Sequence, residues 1–230
     1  PHIGSNRLPK IVAAIRQRIL DNGGEIYFNS KVDDFILKDN KLIGVKINSQ
    51  QEMFGDAVIL ATGHSARDIY YLLNKKNIRI EPKPFAMGVR IEHPQALIND
   101  IRYHTKEKHS NLPSAAYTLV TGVEKRGVYS FCMCPGGIIV PAATSPGEIV
   151  VNGMSLSRRN SPFANSGFVV EVTEQEWTKY ENFQPFAALM LQEELEKKAF
   201  ELANQTQSAP AQRVTDFVAE KVSSSLPKCS

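Results

Sequence analysis

The sequence predicts an α+β fold in which a region built around one buried parallel strand precedes an antiparallel-sheet domain that ends in helices. Two observations carry this. Before residue 80 the pattern runs helix, Gly-Gly turn, short strand, meander, continuous apolar run, small-residue exit, helix. After Glu81-Pro82-Lys83-Pro84 it becomes a series of β-like runs broken by Gly, Pro and Asn, until a helical pattern returns at Pro185.

Residues 5–22 are expected to form a helix, because Leu8, Ile11, Val12, Ile15 and Ile19 recur at spacings of three and four. Asn6 can cap it, Pro9 is tolerable in the first turn, and Asn22-Gly23-Gly24 stops it. Glu25 to Phe28 reads as a short strand. Residues 32–38 and 41–48 read as a hairpin around Asp39-Asn40, with Gln51 to Phe54 able to add a strand. Val58 to Leu60 is apolar without alternation, as in a strand covered on both faces of a parallel sheet. Ser65 should open the next helix, with Asp68 completing an S-x-x-D capping box and Ile69, Leu72 and Leu73 facing inward.

In the second half, residues 85–92, 115–121, 127–133, 147–154 and 167–172 are the expected strands, interrupted by a short helix at 94–101. Trp177 and Tyr180 are expected to pack near a helix start. Helices are expected from Pro185 to about Gln205 and over 211–222.

Bulk composition excludes several classes. The 230 residues carry a net charge of only +3 with no block of like charges, which gives no argument for nucleic acid or an anionic membrane. No apolar stretch approaches the roughly 18 residues of a spanning helix. Three cysteines, two of them in Cys132-Met133-Cys134, make no disulfide framework and suggest a reducing, cytoplasmic setting. The chain opens on Pro1 and closes on Lys228-Cys229-Ser230, and it is expected to be a piece of a longer protein.

The stretch Asp56-Ala57-Val58-Ile59-Leu60-Ala61-Thr62-Gly63 asks what lies against its small-residue end. Parallel sheets bind ligands beyond the carboxyl ends of their strands. A glycine there admits a ligand, or the following helix, close to the backbone. The helix start behind it favours an anion. A nucleotide is one occupant this permits; a tight strand-to-helix turn with no ligand is the other.

Here the chain resembles a known family. "GGEIYFNSKV", "DDFILKDNKLIGVKI" and "DAVILATG" look like the middle of a two-motif FAD-binding flavoprotein. "HSARD", "KPFAMGVRIEHPQ", "GVYSFCMCPGG", "VVNGMS" and "APAQ" resemble the bacterial NAD(FAD)-utilising dehydrogenases, or FAD-dependent proteins. The resemblance implies part of a Rossmann-like FAD-binding domain (1–80), an antiparallel-sheet substrate domain (81–180) and C-terminal helices (181–230). It implies that Lys31 and Val32 meet the adenine side of FAD, and that Ala61, Thr62 and Gly63 pack beside the cofactor. It further implies hydride transfer between the flavin and a small-molecule substrate or a nicotinamide, NAD or NADP. The family's G-x-G-x-x-G turn is absent, since no two of the 14 glycines are separated by a single residue. The pyrophosphate contacts are therefore expected in other segments of the same polypeptide, and this chain alone is expected to be inactive and to hold FAD weakly or not at all. A non-enzymatic binding or assembly module is the alternative.

The catalytic candidates are His64, Arg90, Cys132 and Cys134. His64 stands at the expected ligand end, and an imidazole titrates near neutrality; a turn histidine is the plainer reading. Arg90, His93, Arg158, Arg159, Asn160 and Asn165 could converge on a carboxylate or carbonyl, or could be solvated surface. On a regular strand Cys132 and Cys134 share a face. They could be buried small residues, a redox or substrate-contact pair, or, with His104 and His109, a zinc site. No metal is assigned. Pro135-Gly136-Gly137 is a turn that could admit a ligand to the backbone.

Overall fold

A computed structural model describes residues 3–229. The chain divides into two compact units, one holding Ala14–Pro82 and the other holding the chain before Ala14 together with everything from Lys83 onward. The C-terminal helices thus fall in the same unit as the sheet that precedes them.

The smaller unit is built on a three-stranded antiparallel meander, β1 (Val32–Lys38), β2 (Lys41–Ile47) and β3 (Gln51–Phe54). Asp39 and Asn40 turn the first hairpin, both at positive φ. Phe35, Ile47 and Ile69 of α2 (Arg67–Lys75) are its buried apolar residues. Lys76, just past α2, pairs with Asp34 of β1 at 2.7 Å, and this bond chiefly holds the Asp34 carboxyl below its ordinary value of 3.8. A depressed carboxyl stabilises the fold above its unfolded value, and that contribution disappears as pH falls through the folded value. Urea unfolding of Asp34→Asn should therefore show a lower midpoint than the unsubstituted chain near neutral pH, and the two should converge in acid.

Three expectations fail in this unit. Glu25 to Phe28 forms no strand. Val58 to Leu60 forms none either, and Ile59 is 91% exposed. A strand needs a neighbour for its ladder, and among the described residues none pairs here; every paired strand in the structure is antiparallel. The S-x-x-D box is not formed: α2 begins two residues late, with Ala66 before it, and the Asp68 carboxylate pairs with Lys31 at 2.8 Å instead. Helix α1 (Leu8–Asp21) forms as expected but buries none of its residues; Leu8, Val12 and Ile15 are more than half exposed.

The larger unit centres on a four-stranded antiparallel sheet in the order β4 (Phe85–Pro94), β9 (Phe163–Val172), β6 (Arg126–Cys134), β5 (Val120–Val123). A hairpin of β7 (Gly137–Pro141) and β8 (Val151–Ser155) forms a separate small sheet. Strand β7 was not expected from the sequence, and residues 115–119 are irregular where a strand was expected. Helix α3 (Gln95–Tyr103) follows β4 directly. After β9 come α4 (Glu174–Trp177), a 3-10 turn (Thr178–Phe183), α5 (Ala187–Leu202) and the short α6 (Val214–Val218).

Two clusters sit on one face of the large sheet. Val172, Trp177, Ala187 and Leu191 form one, with Phe85, Met87 and Tyr180 against it. Ile98, Ala115 and Ala164 form the other, with Tyr103, Tyr117 and Met133. Thr173 starts α4 through a capping box: its N–H donates to the Glu176 carboxylate at 2.6 Å, and its hydroxyl donates to the same oxygen at 3.0 Å. Thr173→Ala should lower stability by about 1 kcal/mol in thermal unfolding, the typical cost of a lost cap.

Candidate functional site

In the smaller unit, Ala61, Thr62, Gly63 and His64 are exposed, and Gly63 has positive φ with nothing within 4 Å of a Cβ built there. Among the described residues, the backbone N–H and C=O groups of Val58 to Gly63 make no hydrogen bond, and the His64 carbonyl accepts from the Tyr70 hydroxyl at 3.4 Å. Lys31 reaches the first turn of α2 through Asp68. Its own backbone is engaged by Asn48: the Lys31 N–H donates to Asn48 Oδ1 at 3.1 Å, and its carbonyl accepts from the Asn48 N–H at 2.9 Å. Val32 enters the ladder opposite Ile47. An exposed glycine exit with unclaimed backbone groups fits a nucleotide lying along it.

In the larger unit, the structure brings Arg90, Cys132 and Cys134 together around the fully buried Asn165. Arg90 and Asn165 extend from the neighbouring strands β4 and β9. Arg90 Nη1 donates to Asn165 Oδ1, and both guanidinium nitrogens donate to the Cys132 carbonyl at 3.4 Å. Gly153 of β8 makes this possible: a Cβ there would lie 2.0 Å from Arg90 Nη1 and 2.3 Å from Asn165 Oδ1. Asn165 is 0% exposed, and its Nδ2 has no partner among the described residues.

The cysteine pair departs from expectation. Between Phe131 and Cys134 the β6–β9 register shifts, and Cys132 takes a positive φ of 48°. A bulge places an extra residue in one strand and breaks its alternation. The two thiols therefore do not share an environment: Cys132 is exposed and Cys134 buried. Burial pushes the Cys134 thiol above its usual range, nearby Cys132 adds to this, and Arg90 and Ser155 oppose it. Cys134 is thus a poor nucleophile, since the thiolate is the reactive form. Arg90 reads as the bracket that holds the bulge and presents Cys132.

The remaining candidates separate. Arg159 lays its backbone against Gly136, where a Cβ would meet the Arg159 carbonyl at 1.9 Å. The Pro135-Gly136-Gly137 turn is consequently buried under protein rather than open to a ligand. Gln95 locks it further, accepting from the Gly136 N–H at 2.6 Å. Among the described residues no group of three or more His, Cys, Asp or Glu stands close enough to hold a metal ion. His104 ends α3 in a left-handed cap, and His109 accepts from the Asn111 N–H. No helix among the described residues is long and apolar enough to cross a membrane.

Sequence reasoning missed Tyr117 altogether. Its hydroxyl lies 2.8 Å from His93 Nε2, with the two rings edge-on at 5.7 Å. The only signal for it was an aromatic residue in a stretch read as strand. It missed Gly153 as well, which appeared as one letter of a family string while its role is to leave room for an arginine on another strand.

Comparison with known proteins places these features. Residues 84–230 match the family described as "FAD-dependent protein, C-terminal domain-like". An uncharacterized protein of Clostridium beijerinckii is 42% identical over 227 residues, covering 98% of this chain and 42% of that protein. A 4,4'-diapophytoene desaturase (4,4'-diapolycopene-forming) of Methylomonas sp is 42% identical over 53 residues, 23% of this chain and 10% of the desaturase. The chain therefore spans less than half the length of the Clostridium relative.

Proposed function

The chain belongs to the family of FAD-dependent proteins, and on that premise we propose that it is part of an FAD-dependent oxidoreductase acting on a small organic molecule. The observation that carries this reading is the family match across the whole larger unit from residue 84 onward, the unit that holds the bracketed Cys132. When bound, FAD supplies two-electron chemistry, accepting or giving a hydride at its ring system.

This chain's residues divide the remaining work. Ala61, Thr62 and Gly63 leave backbone open for the nucleotide, and Val32 lies beside Lys31 for the adenine side. Arg90 fixes the Cys132 bulge through its carbonyl. Cys132 carries the exposed thiol of the pair, the one available to react. His64 stands exposed at the exit, where its ring can hydrogen-bond a ligand.

The Rossmann-like layer is, in this reading, completed by other segments of the same polypeptide. The apolar residues at Tyr27, Phe28, Ile59 and Leu60, all exposed here, support it. Exposed apolar runs of strand character are the expected mark of a sheet whose partners lie elsewhere. The chain by itself then holds FAD weakly and turns over nothing.

Expression of the intact polypeptide tests the reading. A yellow protein with a flavin absorption spectrum, bleached by NADH or NADPH, is the expected result. A colourless intact protein that FAD does not reconstitute would overturn it.

A further inference from the structure

Cys132-Met133-Cys134 keeps one thiol in solvent and one in the interior, two residues apart on the same bulge. The register fixes how close the bulge brings them. From Phe131 to Cys134, β6 advances three residues while its partner β9 advances two, from Gly167 to Asn165. Two residues of strand rise about 6.6 Å, so β6 rises only about 2.2 Å per residue here, against roughly 3.3 Å in a regular strand. Cys132 and Cys134 are then about 4.4 Å apart along the strand instead of about 6.6 Å. Disulfides usually join Cα atoms about 4.4–6.8 Å apart. The bulge therefore moves the pair from the far limit of that span to within it.

The side chains agree with the backbone. The Cys134 thiol donates to the Cys132 carbonyl, with Sγ 3.4 Å from the oxygen. Burial raises the Cys134 thiol first, and a charge on neighbouring Cys132 raises it further. Met133, between them, packs against the Ile98, Ala115 and Ala164 cluster. Arg90 holds the Cys132 carbonyl. The segment is thus fixed at its middle residue and at its first carbonyl. Cys132 holds a left-handed φ of 48° in this shortened form, a conformation that few residues other than glycine adopt.

We propose that Cys132 and Cys134 form a redox-active dithiol, in which a hydroperoxide oxidises Cys132 and Cys134 resolves it as an intramolecular disulfide. Exposure assigns the roles, since an oxidant in solution reaches Cys132 and not Cys134. With hydrogen peroxide, the Cys132 sulfur attacks one peroxide oxygen. The O–O bond breaks, the other oxygen leaves as water with the thiol's proton, and Cys132 becomes a sulfenic acid. The Cys134 sulfur then attacks the Cys132 sulfur. The S–O bond breaks, and that oxygen leaves as a second water with the Cys134 proton. One peroxide is reduced by two electrons, and two thiols become one disulfide. Burial keeps Cys134 a thiol until its neighbour is a sulfenic acid. Being held beside its target, it then needs no bimolecular encounter. The reaction uses no flavin and stands apart from the oxidoreductase reading.

The test uses this chain with Cys229→Ser, which removes the third, exposed thiol. The reduced protein is treated with hydrogen peroxide, then denatured, labelled with maleimide and weighed intact. The expected product is lighter by two hydrogens, takes no maleimide, and recovers both thiols in dithiothreitol. Cys134→Ser should stop at a Cys132 sulfenic acid that dimedone traps. Cys132→Ser should leave Cys134 a thiol over the same exposure. The oxidised chain should keep a cooperative thermal transition, because the ring closes in the folded geometry. An unchanged mass would overturn the proposal. So would a Cys132 sulfinic acid beside a Cys134 that is still a thiol, a disulfide joining two chains, or loss of the cooperative transition on ring closure.

Discussion

Trp177→Ala is expected to destabilise the larger unit by about 3–5 kcal/mol, the usual cost of removing a fully buried tryptophan. Trp177 is 2% exposed and stacks on Phe85 with ring planes 8° apart and centroids at 5.8 Å. It joins β4 and β9, through Phe85 and Val172, to α5, through Ala187 and Leu191. An alanine cannot keep the two layers in contact, and a 16-residue helix that loses its anchor loses most of its tertiary support. Thermal unfolding followed by circular dichroism would show a large fall in midpoint, or loss of the cooperative transition. Trp177→Phe keeps an aromatic ring against Phe85 and should cost much less. Among the described residues the indole Nε1 has no hydrogen-bond partner, so its deletion carries no polar penalty. A Trp177→Ala midpoint within a degree or two of the unsubstituted chain would mean that the β4–β9 sheet is held by something other than this cluster.

How far the sequence disclosed this molecule depends on whether the signal was local. The meander from Val32 to Phe54 was legible because short β-like runs meeting at the Asp39-Asn40 turn are properties of adjacent residues. Helix α1 was legible from its stripe alone, although that stripe is exposed here. Val58 to Leu60 was misread because an apolar run reports a need for burial, not the neighbour that satisfies it. The Ser65–Asp68 box failed for a similar reason: Asp68 had a better partner in Lys31, and sequence spacing does not reveal a lysine that folding brings within 2.8 Å. The Arg90 constellation was half visible. The residue types stood out, but the bulge that separates Cys132 from Cys134 depends on one register shift against β9, and no pattern within β6 announces it.

Gly153→Val is expected to have the other large effect, because it attacks the bracket from outside the residues that form it. Its Cβ would overlap both Arg90 Nη1 and Asn165 Oδ1, neither of which lies at the end of a free side chain. Arg90 is held at two acceptors, and Asn165 is wholly buried. Relief requires the guanidinium to leave, stranding the buried Asn165 side-chain carbonyl without its donor and leaving the Cys132 carbonyl only the Cys134 thiol at 3.4 Å. A buried acceptor left unsatisfied costs about 1–3 kcal/mol, and overpacking adds about 1–3 kcal/mol more. The total expected loss is therefore about 2–6 kcal/mol by chemical denaturation. The origin of that loss is separable by a double-mutant cycle. Arg90→Ala opens the space that the new side chain needs, so Gly153→Val should cost far less in an Arg90→Ala background than alone. Neighbours that share a contact couple in this way by about 0.5–3 kcal/mol, whereas independent sites add. Exact additivity would show that the glycine answers only to the backbone of β8, and the bulge at Cys132 would then need another explanation for its left-handed turn. Coupling should also appear in the thiol itself: with the bracket gone, β6 is free to recover regular alternation, and the rate at which Cys132 reacts with a maleimide should change in both single variants in the same direction.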